Sequence, residues 1–147
     1  MDRKIVFGLI VIAVVVACLA FYYFPSAEKE IKVIRTDINT NFTGYSLSAK
    51  PERRESYLLS YKNDILYCEK YVFSDGENAI VFLEELKNNS RIIGEDEVSF
   101  KDYEGEVVYG EGWVTVILRK NNIINSCGAS EEKNLGAVVE WFIKNYG

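Results

Sequence analysis

The chain has 147 residues, 22 acidic against 17 basic side chains, and a net charge of −5. An acidic chain without a basic stripe lacks the clustered Lys and Arg that hold phosphates, which argues against a nucleic-acid partner. It contains no histidine, which removes His-based zinc sites, Ser-His-Asp and Cys-His activation, and the side chain that titrates near neutral pH.

Residues Ile5 to Phe24 carry no charge. Twenty residues at about 1.5 Å each span about 30 Å, the thickness of a bilayer's hydrocarbon core. Tyr22, Tyr23 and Phe24 sit where an interfacial aromatic belt would lie, and Pro25 ends the helix. The stretch Val15-Val16-Ala17-Cys18 has the look of a lipobox, so the alternative is a lipoprotein processed at Cys18. The apolar run continues six residues beyond that cysteine, longer than a secretory signal requires, which favours an uncleaved single-pass anchor. The expected organisation is an anchor over 1–24, a polar tether over 25–30 and an extracytoplasmic domain over 31–147. Arg3 and Lys4 are nearly balanced by Lys29, Lys32 and Arg35 across the membrane. Two N-x-[ST] triplets, at Asn41 and Asn88, are candidate glycosylation sites and tip the domain outward. A cytosol-facing domain is the other orientation.

Along the domain, Ile31–Ile38 is β-branched and reads as a first strand. Glu55–Tyr61 and Ile65–Phe73 read as a hairpin around Lys62-Asn63-Asp64. Ser74 and Glu77 have capping-box spacing, and Ala79, Phe82, Leu83 and Leu86 form one apolar helical stripe. Four short segments then read as an antiparallel meander from Val98 to Gly128. Its Trp113–Leu118 run is apolar on both faces, as a strand covered on both sides would be. A closing helix, capped by Ser130, buries Leu135, Val138, Val139, Phe142 and Tyr146. The fold class is α+β: an antiparallel sheet with two helices packed on one face, behind an N-terminal transmembrane helix.

The first helix, the Ile93–Glu97 turn "IGEDE", the Arg119–Ile124 hairpin "RKNNII" and the closing helix resemble small extracytoplasmic α+β domains of archaeal and bacterial membrane-anchored surface proteins. The likeness spans Tyr71 to Tyr146 and departs at Asn121, where those domains favour Gly. It implies fold and placement, and no activity.

Between Glu95 and Glu111 lie seven acids against Lys101 alone. Hard cations take several carboxylate oxygens, yet the spacing fits no EF-hand loop, and acids on an edge strand keep it soluble. No residue set reads as a catalytic, cofactor-binding or metal site. Cys68 and Cys127 are the candidate disulfide in an oxidising compartment; the alternative is two buried side chains in strands. Trp141 falls opposite the closing helix's buried stripe. With Glu95, Asp96, Glu97 and Asp102 it is the candidate contact for a protein or surface ligand. The expected function is a non-enzymatic binding or assembly module held at the membrane by residues 5–24. The alternative is a carboxylate- or Ca²⁺-dependent surface hydrolase using Glu95, Asp96, Asp102 and Glu104.

Overall fold

The structure, a computed structural model, describes residues 30–42 and 47–147. The expected anchor, the lipobox cysteine and all of the tether but Glu30 lie outside those residues. Among the described residues no helix is long and apolar enough to cross a membrane.

Seven strands form one antiparallel sheet: β1 (Lys32–Asn39), β2 (Arg53–Tyr61), β3 (Asp64–Val72), β4 (Ile92–Phe100), β5 (Tyr103–Gly110), β6 (Trp113–Lys120) and β7 (Ile123–Ala129). Helix α1 (Gly76–Asn88) separates β3 from β4, and α2 (Leu135–Tyr146) closes the chain. The spatial order β1-β2-β3-β7-β6-β5-β4 contains two meanders, one of three strands and one of four. After β3 the chain crosses by α1 to the far edge, then works back until β7 pairs with β3. Tight turns enforce the hairpins. Lys62 and Asn63 both take positive φ, 48° and 67°, as the two-residue turn matching strand twist requires. Asn121 takes φ 53°, a conformation Asn tolerates, so the hairpin keeps its shape without the expected Gly.

The two helices lie on opposite faces of the sheet, not on one face as expected. Side-chain alternation makes this plain. Tyr57, Leu66, Cys68, Val107, Leu118 and Cys127 pack with Leu135, Val138 and Phe142 of α2. Tyr71, Phe73, Val108, Ile117 and Ile124 pack with Ala79 and Phe82 of α1. Neighbours such as Val107 and Val108 therefore serve different cores, which is why the Trp113–Leu118 run is apolar on both sides. Aromatic rings knit each layer: Phe82 lies 5.0 Å from both Tyr71 and Phe73, and Phe142 meets Tyr57 edge-on at 5.1 Å.

Three local expectations also change. The cap of α1 is Asp75, whose carboxylate accepts the Asn78 backbone N–H at 2.8 Å; Ser74 supports it by donating to Asp75 at 3.0 Å. That backbone hydrogen bond comes first among the contacts holding the Asp75 carboxyl below its usual range. Ser130 does not cap α2. A 3₁₀ turn over Glu132–Asn134 leads into the helix, and buried Asn134 donates its side-chain amide to Asp64 instead. At its other end Lys70 donates to the Tyr146 carbonyl at 2.5 Å, satisfying a last-turn acceptor. Finally, "IGEDE" is no turn but the body of β4. Pairing from Ile92–Gly110 to Phe100–Tyr103 overrides its weak strand propensity. Both edge strands are blunted by a register slip and by charges, Arg35 and Asp37 on β1, Glu95 to Glu97 on β4.

Asn125 is the exception in the α2-side core. It is 2 % exposed, in register with Lys70 and Leu118, and neither side-chain polar atom finds a partner among the described residues. An orphaned buried polar group costs about 1–3 kcal/mol. Asn125→Leu, close in size and apolar, is therefore expected to raise the unfolding temperature by relieving a cost of that order. Thermal unfolding of both proteins measures it, and a fall would refute the assignment.

Candidate functional site

Helix α1 covers the Tyr71–Ile124 end of its face and stops short of the rows beside it. Across β3, β7, β6 and β5 those rows read Glu69–Ser126–Ile117–Glu106 and Tyr67–Gly128–Thr115–Val108. A cleft of about 210 Å³ opens there, against the last turn of the helix. Its floor is Val108 and Ile117 with the hydroxyls of Thr115 and Ser126, and its walls include Tyr71, Glu69, Lys87 and Trp113.

Two glycines shape it by close approach. A Cβ at Gly128 would sit 2.9 Å from the Thr115 hydroxyl, so glycine keeps the floor low. A Cβ at Gly110 would fall 1.8 Å from Trp113 Cε2. Trp113, its register partner, therefore lays its ring over the bare backbone of β5. Trp113 remains 36 % exposed there.

Glu69 is held from the β2–β3 side. Arg54 Nε donates to Glu69 Oε1 at 2.7 Å and a second Arg54 nitrogen donates to the same oxygen, while the Tyr71 hydroxyl donates to Oε2 at 2.6 Å. Opposite, Lys87 reaches Glu106 at 2.7 Å and Glu95 at 2.8 Å. The hydrogen bond to Glu106, then that to Glu95, holds the ammonium above its usual pKa, and Lys87 in turn holds the Glu95 carboxyl below its own. The hydroxyls of Thr115 and Ser126 make no hydrogen bond among the described residues, which leaves two donor-acceptors facing the cleft.

The residues singled out from sequence do not converge on one site. Glu95 and Glu97 lie on the α1 side of β4, Asp96 on the other face, and Asp102 in the β4–β5 turn. Glu95 serves as counter-ion to Lys87, Asp102 pairs with Lys120, and Glu104 pairs with Arg119 at 3.3 Å. No group of three or more candidate metal ligands exists among the described residues. Trp141 is half-buried against the α2-side core and meets Tyr146 edge-on at 5.7 Å. Asn41 and Asn88 are both exposed. Cys68 and Cys127 stand directly opposite in the β3–β7 ladder with Cα atoms 4.1 Å apart and sulfur atoms at bonding distance. Sequence reading missed Trp113, Glu69, Thr115 and Ser126. Only the pairing of distant strands brings them together, and the one available signal was a tryptophan one position after a Gly-Glu-Gly turn.

No family model and no curated protein matches this chain. Two solved structures are similar. A GTP-binding regulator from Thermotoga maritima shares 11 % identity at a TM-score of 0.51, over 77 % of this chain and 75 % of the other. The extracellular domain of PknH from Mycobacterium tuberculosis shares 9 % identity at a TM-score of 0.47, over 78 % of this chain and 82 % of the other. The first likeness is one of fold.

Gly110→Ala is expected to displace the Trp113 ring, shift its fluorescence to the red and destabilise by about 1–3 kcal/mol. Gly136→Ala, at an exposed position in the first turn of α2 with nothing within 4 Å of the new Cβ, should instead stabilise by up to about 0.5–1 kcal/mol. Emission spectra and denaturation of the two variants test the pair; equal effects would contradict the close approach.

Proposed function

We propose that the chain is a membrane-tethered, extracytoplasmic binding domain that captures a small polar ligand in the cleft beside α1. The observation carrying this reading is the pair of hydroxyls, Thr115 and Ser126, without a hydrogen-bond partner among the described residues and set in a recess beside part-exposed Trp113. A recess that combines an aromatic wall with a few convergent polar groups is the usual form of a small-molecule site.

Binding fits the lining better than catalysis. Glu69 is held by Arg54 and Tyr71, and Lys87 by Glu106 and Glu95. Neither Glu69 nor Lys87 is thereby poised as a free acid or base. The hydrolase reading is the less favoured one, because Glu95, Asp102 and Glu104 each pair with a different base and Asp96 lies on the other face of β4. Unlike the GTP-binding regulator from Thermotoga, this chain is not proposed to bind GTP, since its sequence has no P-loop stretch. Cys68 and Cys127, opposed at bonding distance, favour an oxidising compartment. The uncharged Ile5–Phe24 segment favours a tether.

Two measurements test the parts separately. In a thermal-shift screen of small polar metabolites against the intact protein, hits should stabilise wild type and lose their effect in Trp113→Ala. They should keep it in Trp141→Phe, and hits indifferent to Trp113 would refute the cleft. Intact mass of the detergent-extracted protein without reductant should match a chain beginning at or beside Met1, less two hydrogens for the disulfide. A mass beginning at Cys18 with acyl additions would make it a lipoprotein.

A further inference from the structure

We infer that the cleft takes a single neutral pyranose ring, free or as the terminal unit of a glycan; this rests on the cleft being the binding site.

Size sets the first limit. A cavity of about 150 Å³ admits a benzene ring, and sites for drug-sized ligands run from about 300 Å³ upward. At about 210 Å³ the cleft accommodates one substituted six-membered ring.

Charge sets the second. Glu69 is matched by Arg54, and Lys87 by both Glu95 and Glu106. The five groups sum to −1, and both cations are already committed. Phosphate or carboxylate ligands would meet no spare positive charge, so a neutral ligand is favoured.

Two-sidedness sets the third. A pyranose presents C–H bonds on its ring face and hydroxyls around its rim. The Trp113 ring offers an exposed aromatic plane for the first. Thr115 and Ser126 offer two hydroxyls, without partners among the described residues, for the second, each able to donate and accept. Glu69 adds an acceptor: Tyr71 donates to its Oε2, and a carboxylate oxygen has about two lone-pair sites. A purely aromatic ligand would fill the volume and leave the Thr115 and Ser126 hydroxyls desolvated without a ligand partner, which is unfavourable. Exposure of Trp113 at the mouth leaves the rest of a glycan in solvent.

The protein contains only two tryptophans, so Trp141→Phe in the full-length, detergent-solubilised chain leaves Trp113 the sole tryptophan, excited at wavelengths beyond the tyrosine band. It would be titrated with glucose, galactose, mannose, N-acetylglucosamine and their methyl glycosides, with indole and inorganic phosphate as contrasts. At least one pyranose should give a saturable change, about tenfold weaker in Thr115→Val or Ser126→Ala. A response to the free sugar alone would exclude a glycan end; a response to its methyl glycoside would support one. Binding of indole or phosphate without any pyranose would overturn the ligand class and leave the cleft reading intact. Silence from every probe would overturn both. Should Trp141→Phe fail to fold, the two indole N–H signals of the wild-type protein give the same readout by NMR.

Discussion

The β3–β7 ladder is the interaction on which everything else depends. It alone joins the three-strand meander to the four-strand meander, through register pairs from Tyr67–Gly128 to Val72–Ile123. It also brings together residues 59 apart in sequence, so its closure carries the largest chain-entropy cost in the sheet. Cys68 and Cys127 sit on this ladder, where a crosslink removes that cost from the unfolded chain, nominally about 4 kcal/mol for such a loop. One residue along, on the opposite face, Glu69 and Ser126 contribute to the cleft. Structural rivet and binding floor are thus neighbours on the same two strands.

The layering follows from that arrangement. With both faces of the central strands apolar, each face needs its own helix, and α1 and α2 take one each. Helix α2 carries a full stripe and covers its side with Leu135, Val138, Val139, Phe142 and Ile143. Helix α1 buries chiefly Ala79 and Phe82, so part of its face stays open. Where its last turn ends, Lys87 takes up the strand acids Glu95 and Glu106, and a recess remains in place of a continuous core.

Much of this architecture was legible in the sequence. The order of strands and helices, both helical stripes and the two-faced Trp113–Leu118 strand come from periodicity, which reports burial directly. Periodicity does not say to which face a helix crosses, so it leaves the split of the two helices between opposite faces unread. The acids of β4 looked like a turn because Gly, Glu and Asp are poor strand formers; edge pairing decided otherwise. Trp141 stands out in sequence because it breaks a helical stripe, whereas Trp113 lies inside a regular apolar run. The cleft was illegible. Glu69, Thr115 and Ser126 look like ordinary polar positions within strands, and only long-range register makes them adjacent.

The topology also sets a schedule for the nascent chain. Strand β3 is complete at Val72, yet its second neighbour does not exist until Ala129 has been added, 57 residues later. At about 5–20 residues per second, that is about 3–11 s during which a future central strand is an open edge. Such an edge invites pairing with other chains. Glu69 and Lys70 place opposite charges side by side on opposite faces at its middle, so neither surface is purely apolar while it waits. Glu69 pairs with Arg54 within the β2–β3 hairpin already made, and Lys70 gains its partner at the end of α2 once that helix has followed β7. The same two side chains guard the half-made sheet and then fasten the finished one.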